Sequence, residues 1–153
     1  MKPENFHLTL KFLGEASGAQ LDDIKAALDL VAAPCAVFEM ELRGMGCFPE
    51  RGAPRVVWVG GGTGRDTLAT VARDVEDAME ALGFAREGRE FAAHLTIGRV
   101  HSSRGAERLR RLVEAEADTS FGRCVVDELR LYKSTLAPGG SIYELMHSAR
   151  LGA

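Results

Sequence analysis

The tripeptide His-Leu-Thr occurs twice in the chain, in Phe6-His7-Leu8-Thr9-Leu10-Lys11-Phe12 and in His94-Leu95-Thr96-Ile97-Gly98-Arg99. Only four histidines are present, so two of them in one local context constrain the chain more than any other feature. Both copies alternate as β-strands do, with residues i and i+2 on one face. Phe6, Leu8 and Leu10 are expected on the core face of the first strand, and Leu95 and Ile97 on that of the second. His7, Thr9 and Lys11, and likewise His94 and Thr96, then take the opposite faces. Laid side by side, the two strands line one cleft with two His-Thr pairs.

That pattern suits a phosphodiester. An unperturbed imidazole titrates at about 6.5, so near neutral pH one can accept a proton while the other donates one. The first acts on a nucleophile and the second on a leaving group. The two threonine hydroxyls can donate to non-bridging oxygens. Arg99 can bind the same anion through two parallel hydrogen bonds. His101 and His147 are expected at the surface. Neither completes, with a carboxylate or thiolate, a convincing zinc set around His7 and His94, so neither a metal nor a cofactor is expected.

Around the motifs the chain reads as alternating elements. Ser17 and Gln20 form a capping box for a helix with Leu21, Ile24, Leu28 and Val31 inward, which ends at Pro34. Ala36 to Arg43 alternates as a strand, with Glu39, Glu41 and Arg43 on its wet face. Gly44 to Pro54 is expected to be a loop in which Phe48 either covers a nucleobase or tucks into the core. Arg55 to Val59 is a β-rich run centred on Trp58. Gly60-Gly61-Gly62-Thr63-Gly64 lacks the Gly-Lys-Ser/Thr of a phosphate loop and is expected to be a strand-to-helix connection. A helix follows from about Asp66, with Gly83 at its C-terminal end. Arg86 and Arg89 are expected in a solvated loop. A third helix covers about Gly105 to Ala117, and its Arg108, Arg110 and Arg111 are offset by Glu107, Glu114 and Glu116 on a solvated face. Cys124 to Leu136 and Ser141 to Leu151 read as a hairpin turned at Ala137-Pro138-Gly139-Gly140. The fold class is α+β, mainly antiparallel.

The 153 residues suit one domain. A net charge of −3 argues against a global field for polyanions, so any contact with RNA is local. Three widely spaced cysteines without a C-x-x-C point to a reducing compartment, the cytoplasm. No apolar run is long enough to span a membrane.

The two motifs extend to His7-Leu-Thr9-Leu-Lys-Phe12 and His94-Leu-Thr96-Ile-Gly-Arg99. With Lys2-Pro3-Glu4-Asn5, Phe12-Leu13-Gly14-Glu15, Pro54 to Gly60 and Pro138 to Tyr143, they resemble the two-histidine phosphoesterases, in particular the RNA 2′,3′-cyclic phosphodiesterase (2′-5′ RNA ligase) branch. The resemblance runs from Lys2 nearly to the end, and it departs from the family at Ala93, where proline is usual. It implies two lobes related by a pseudo-twofold axis, one motif strand in each, with helices outside. It also implies that residues 1–153 form a single domain lacking a strand and a helix that precede the first motif in the family. Self-association is then an expected way to cover the gap, and no other protein partner is indicated.

The implied substrate is an RNA or nucleotide with a 2′,3′-cyclic phosphate end. The implied reaction is hydrolysis to a 2′-phosphate, with reverse 2′-5′ ligation. The residues themselves leave the two histidine roles interchangeable; the resemblance implies His7 as acid and His94 as base. Thr9, Thr96 and Arg99 would hold the phosphate and Phe12 the base, although Phe12 has the parity of the core face. Two alternatives stand beside this reading: a binding module without turnover, and a phosphodiesterase for another small cyclic or 2′-5′-linked nucleotide.

Overall fold

Apolar periodicity along the chain resolves into three helices and six strands among the residues described, 5–152, of a computed structural model. Contacts group the chain into two compact units. The first is Met1–Leu10, Glu39–Ala69 and Phe91–Cys124, and the second is Lys11–Phe38, Thr70–Glu90 and Val125–Ala153. His7, Thr9, His94 and Thr96 all belong to the first unit. The expected allotment of one motif to each lobe is therefore not how the contacts divide the chain.

The first unit is built on a four-stranded sheet in the order β3-β2-β1-β4. Its strands are β1 (Phe38–Phe48), β2 (Val56–Gly61), β3 (His94–Arg99) and β4 (Ser120–Val126). Here β1 pairs antiparallel with β2, and β2 with β3. Met40, Cys47, Val57 and Val59 are buried, as is Val113 of α3 (Ala106–Ala115). The Gly44 to Phe48 stretch, expected in a loop, continues β1 past an irregularity between Leu42 and Met45. Glycine is a weak strand former, but tertiary contacts override that bias here. A Cβ on Gly46 would lie 2.1 Å from the Trp58 ring, so the strand persists because the indole needs bare backbone beneath it.

Glu41 was expected on the wet face of β1, yet it is buried. Its Oε1 accepts from Arg43 Nη2 at 3.0 Å and from Ser120 Oγ at 2.8 Å. Its Oε2 accepts from the Thr63 backbone N–H at 3.3 Å. The Arg43 hydrogen bond, with those of Ser120 and Thr63, draws its pKa down to about 2. The Gly62 N–H also donates to the Glu41 carbonyl at 2.8 Å. The glycine run is thus the end of β2 and a turn that wraps a carboxylate of its own chain.

In the second unit, Ser17 caps α1 (Gly18–Ala32) in the expected reciprocal box with Gln20. The apolar stripe of α2 (Arg65–Ala81) buries Val71, Ala72, Val75 and Met79 there. β5 (Glu128–Ala137) and β6 (Gly140–Arg150) form an antiparallel hairpin about Pro138-Gly139. The single strand expected from Cys124 is two, divided at Asp127, whose carbonyl accepts from the Leu151 N–H at 2.8 Å. His147, expected to be exposed, is half-buried and its Nε2 lies 2.7 Å from Asp29 Oδ1. Arg86 is held by Asp77 and Glu80, at 2.7 and 2.6 Å.

The first-motif segment departs most from expectation. Residues 6–13 carry no strand assignment, because alternation decides which side chains share a face but supplies no ladder partner. Phe6 is exposed, and Leu8 and Leu10 are only half-buried. Lys11, expected beside His7, is 2% exposed at its side chain and donates to Glu76 Oε1 at 2.6 Å and to the Ala85 carbonyl at 2.7 Å. Burial pushes the Glu76 carboxyl up, but the hydrogen bonds from Lys11 and the Glu87 N–H outweigh it and the net shift is downward.

The Glu41 shift has a sign. A carboxyl depressed in the folded state contributes stability above its unfolded pKa of about 4.3, and that contribution is lost as pH falls through the folded value. Glu41→Gln should therefore melt below the wild-type protein at pH 7, and the gap should close as pH approaches 2. Thermal unfolding at the two pH values checks this; a gap that stays constant would show that the carboxylate charge is not what Arg43, Ser120 and Thr63 hold.

Candidate functional site

The second motif is placed by sheet register. Along β3, His94 pairs with Gly60, Leu95 with Val59 and Thr96 with Trp58. A register irregularity between Val57 and Trp58 follows, and Arg99 then pairs with Val56. His94 and Thr96 thus share the sheet face of Trp58 and Gly60, which is also the face of Gly46 and Phe48 on β1.

On that face three rings meet. The His94 and Trp58 ring centres are 4.2 Å apart at 52°. Phe48 and His94 meet perpendicular to one another, ring centres 5.2 Å apart at 88°, and Phe48 lies 5.5 Å from Trp58. The indole lies over glycine: a Cβ on Gly60 would be 3.4 Å from it, and one on Gly46 would collide with it. Trp58 Nε1 is buried without a hydrogen-bond partner among the described residues. An orphaned donor costs about 1–3 kcal/mol, so the indole is retained for its ring contacts. Trp58 belongs to the site and was read from sequence only as the centre of a buried strand. A bulky ring two residues before a glycine in a β-rich run is a signal that could have found it.

The consequence falls on His94. Burial against the two rings disfavours its charged form and lowers its pKa below the ordinary imidazole value. The imidazole is therefore poised neutral near pH 7, with a nitrogen able to accept a proton. Phe48 is 40% exposed and in ring contact with His94, so it is not tucked into the core.

His7 is set differently. Its Nδ1 lies 2.7 Å from the Asn5 carbonyl oxygen, a pure acceptor. Nδ1 must then carry hydrogen, and Nε2 is the atom that gains or gives up a proton. Thr9 and Thr96 are both half-buried, in the same unit as the two histidines. Arg99 is exposed at the end of β3. Phe12 belongs to the second unit, and its side chain is 75% exposed, against its core-face parity. Among the described residues, no three His, Cys, Asp or Glu side chains gather into a set that could hold a metal ion. No helix of the described chain is long and apolar enough to cross a membrane.

Comparison with known proteins identifies the family of the chain. The family described as LigT like phosphoesterase matches residues 1–58 and 62–143. The RNA 2′,3′-cyclic phosphodiesterase of Aeropyrum pernix is 35% identical over 150 residues, covering 98% of this chain and 84% of that protein. The protein of the same name from Archaeoglobus fulgidus is 38% identical over 144 residues, covering 94% and 78%. Among solved structures, a Thermus thermophilus protein superposes with a TM-score of 0.80 at 27% identity, covering 99% of this chain and 81% of that one. Escherichia coli LigT complexed with 3′-AMP superposes with a TM-score of 0.71 at 28% identity, covering 98% and 79%.

Trp58 is the sole tryptophan and touches His94, so its emission reports the state of that imidazole. A fluorescence pH titration should give a His94 midpoint below about 6.5, and Phe48→Ala should raise it toward that value. A midpoint at or above the ordinary value, insensitive to Phe48, would remove the rings as the cause.

Proposed function

We propose, for a chain that belongs to the LigT-like phosphoesterase family, that His94 is the general base and His7 the general acid of cyclic phosphate hydrolysis. The reaction is that of the relatives: the chain is an RNA 2′,3′-cyclic phosphodiesterase. The observation that carries the assignment is the unlike setting of the two imidazoles. His94 is held neutral by burial against two rings. His7, with Nδ1–H directed at the Asn5 carbonyl, presents a proton on Nε2 when charged.

Water attacks phosphorus and His94 takes its proton. The bond from phosphorus to the 3′-oxygen breaks, and His7 protonates that oxygen. The product is a 2′-phosphate beside a free 3′-hydroxyl. Thr9 and Thr96 hold the non-bridging oxygens, and Arg99 stabilises the charge that develops on them. Phe48, exposed beside His94, meets the nucleobase. E. coli LigT has been solved with 3′-AMP and with ATP, which supports a nucleotide end as the ligand. A 5′-hydroxyl in place of water, losing its proton to His94 while His7 protonates the departing 3′-oxygen, gives the 2′-5′ linkage. Acid, base and anion donors all come from side chains, so no step calls for a metal ion or a cofactor. Residues 1–153 act as one phosphoesterase domain. Three unpaired cysteines, Cys35, Cys47 and Cys124, fit a cytoplasmic enzyme.

An oligonucleotide ending in a 2′,3′-cyclic phosphate, incubated in EDTA, should yield the 2′-phosphate alone. His7→Ala and His94→Ala should each lower turnover about 10²-fold or more, the usual worth of a positioned acid or base. A 3′-phosphate product would overturn the leaving-group assignment, and activity lost in EDTA but restored by zinc or manganese would overturn the side-chain mechanism. Arg99→Lys should lower kcat with the fold intact, because a point charge does not replace a planar fork. An unchanged kcat would remove Arg99 from the reacting phosphate.

A further inference from the structure

Arg110 lies on α3, outside the motif pattern, on a face that sequence reasoning assigned to solvent. Its guanidinium is instead turned onto the loop that follows Phe48. Nη1 donates to the Glu50 carbonyl at 2.7 Å, and Nη2 to the Gly52 carbonyl at 2.5 Å and the Pro49 carbonyl at 3.3 Å. Nη1 also lies 3.4 Å from the sulfur of Cys47, the residue before Phe48. One planar group thus gathers four residues, Cys47, Pro49, Glu50 and Gly52, of a six-residue stretch.

The loop has little else to fix it. Pro49, Glu50, Arg51, Gly52 and Ala53 are all exposed, so no buried side chain anchors the span before Pro54. Its base is closed by the Arg55 N–H donating to the Phe48 carbonyl at 2.7 Å. Ordering each further residue costs backbone entropy, which the guanidinium's bonds offset. Arginine suits this because its donors form a rigid fork, whereas an ammonium reaches as a point. Arg110, Cys47, Gly46 and Trp58 also line one cavity of about 190 Å³, so the same side chain borders the indole that packs on His94.

We propose that Arg110 is a positioning residue for the reaction: by clamping the 49–52 carbonyls it fixes how the chain leaves Phe48, and so holds the Phe48 ring perpendicular to His94. It touches neither substrate nor reacting atoms and acts through Phe48. The proposal goes beyond the roles given to the two histidines, and its structural part does not depend on which of them is the base.

The test uses Arg110→Met, which keeps an unbranched apolar stem, with Arg110→Lys as a second variant and the exposed neighbour Arg111→Met as control. The carbon-bound protons of the His94 imidazole are displaced by the ring currents of Trp58 and Phe48, and they are assigned in the NMR spectrum by their loss in His94→Ala. In Arg110→Met these resonances should move toward their positions in Phe48→Ala. With the cyclic-phosphate oligonucleotide, kcat should fall about tenfold with KM little changed, since misplacement of a catalytic group acts on the chemical step. Arg110→Lys should not restore it, Arg111→Met should match wild type, and Arg110→Met combined with Phe48→Ala should lose no more than Phe48→Ala alone. Unmoved His94 resonances in Arg110→Met, or losses that add with Phe48→Ala, would overturn the proposal. A moved resonance with unchanged kcat would also overturn it, because Arg110 would then shape the site without positioning it for the reaction; failure of His94 as the base is read separately, from His94→Ala.

Discussion

The site depends on the seating of one indole on bare backbone. Trp58 can lie across the sheet because position 46 carries no side chain: a methyl at Gly46 would occupy the indole's space. Once there, the ring fills the face beside His94 and offers Phe48 a partner. Burial of large aromatic area drives this packing, and the offset and edge-on geometries add the preference of ring quadrupoles. Everything chemical about His94 follows from it: the orientation of the imidazole, its partial removal from water and its preference for the neutral form.

A second constraint secures the sheet that carries the indole. Glu41 joins three stretches distant in sequence: its own strand through Arg43, the turn leaving β2 through Thr63, and the start of β4 through Ser120. A buried carboxylate is expensive unless it is both paired and hydrogen-bonded, and here it is both. The turn that might have cradled a substrate phosphate spends the Thr63 N–H on this carboxylate and the Gly62 N–H on the Glu41 backbone carbonyl instead. Sequence context excluded the phosphate loop by a missing lysine; the structure adds where those donors go.

Local signals were legible and distant partners were not. Ser17 and Gln20 announced the start of α1 because a capping box is satisfied within four residues. The turn between β5 and β6 was readable for the same reason. Glu41, Lys11 and Arg110 were each assigned to water or to the cleft, because each is a charged side chain in an alternating or helical pattern. Their partners lie far along the chain, Ser120 for Glu41, Glu76 for Lys11 and the Glu50 carbonyl for Arg110. Periodicity has no means of naming such partners. The Gly44 to Phe48 stretch was misread as loop because glycine weakens a strand in isolation, and its pairing is decided by the ring above it.

The duplicated tripeptide illustrates the same division between pattern and environment. His7-Leu8-Thr9 and His94-Leu95-Thr96 are identical in sequence, and identical peptides have identical intrinsic acidity. What separates the two imidazoles lies outside the repeat. His94 sits in a paired strand beneath two rings that strip it of water. His7 sits in a segment with no assigned strand, its Nδ1 on a carbonyl two residues upstream. An acid and a base working together must differ in protonation at the same pH, and two copies of one motif meet that demand only if the fold treats them unequally. The inequality here includes apolar area at His94 and a backbone oxygen at His7. Substitutions at Phe48, Trp58 or Gly46 therefore act on the chemistry of His94 without touching the motif that names it.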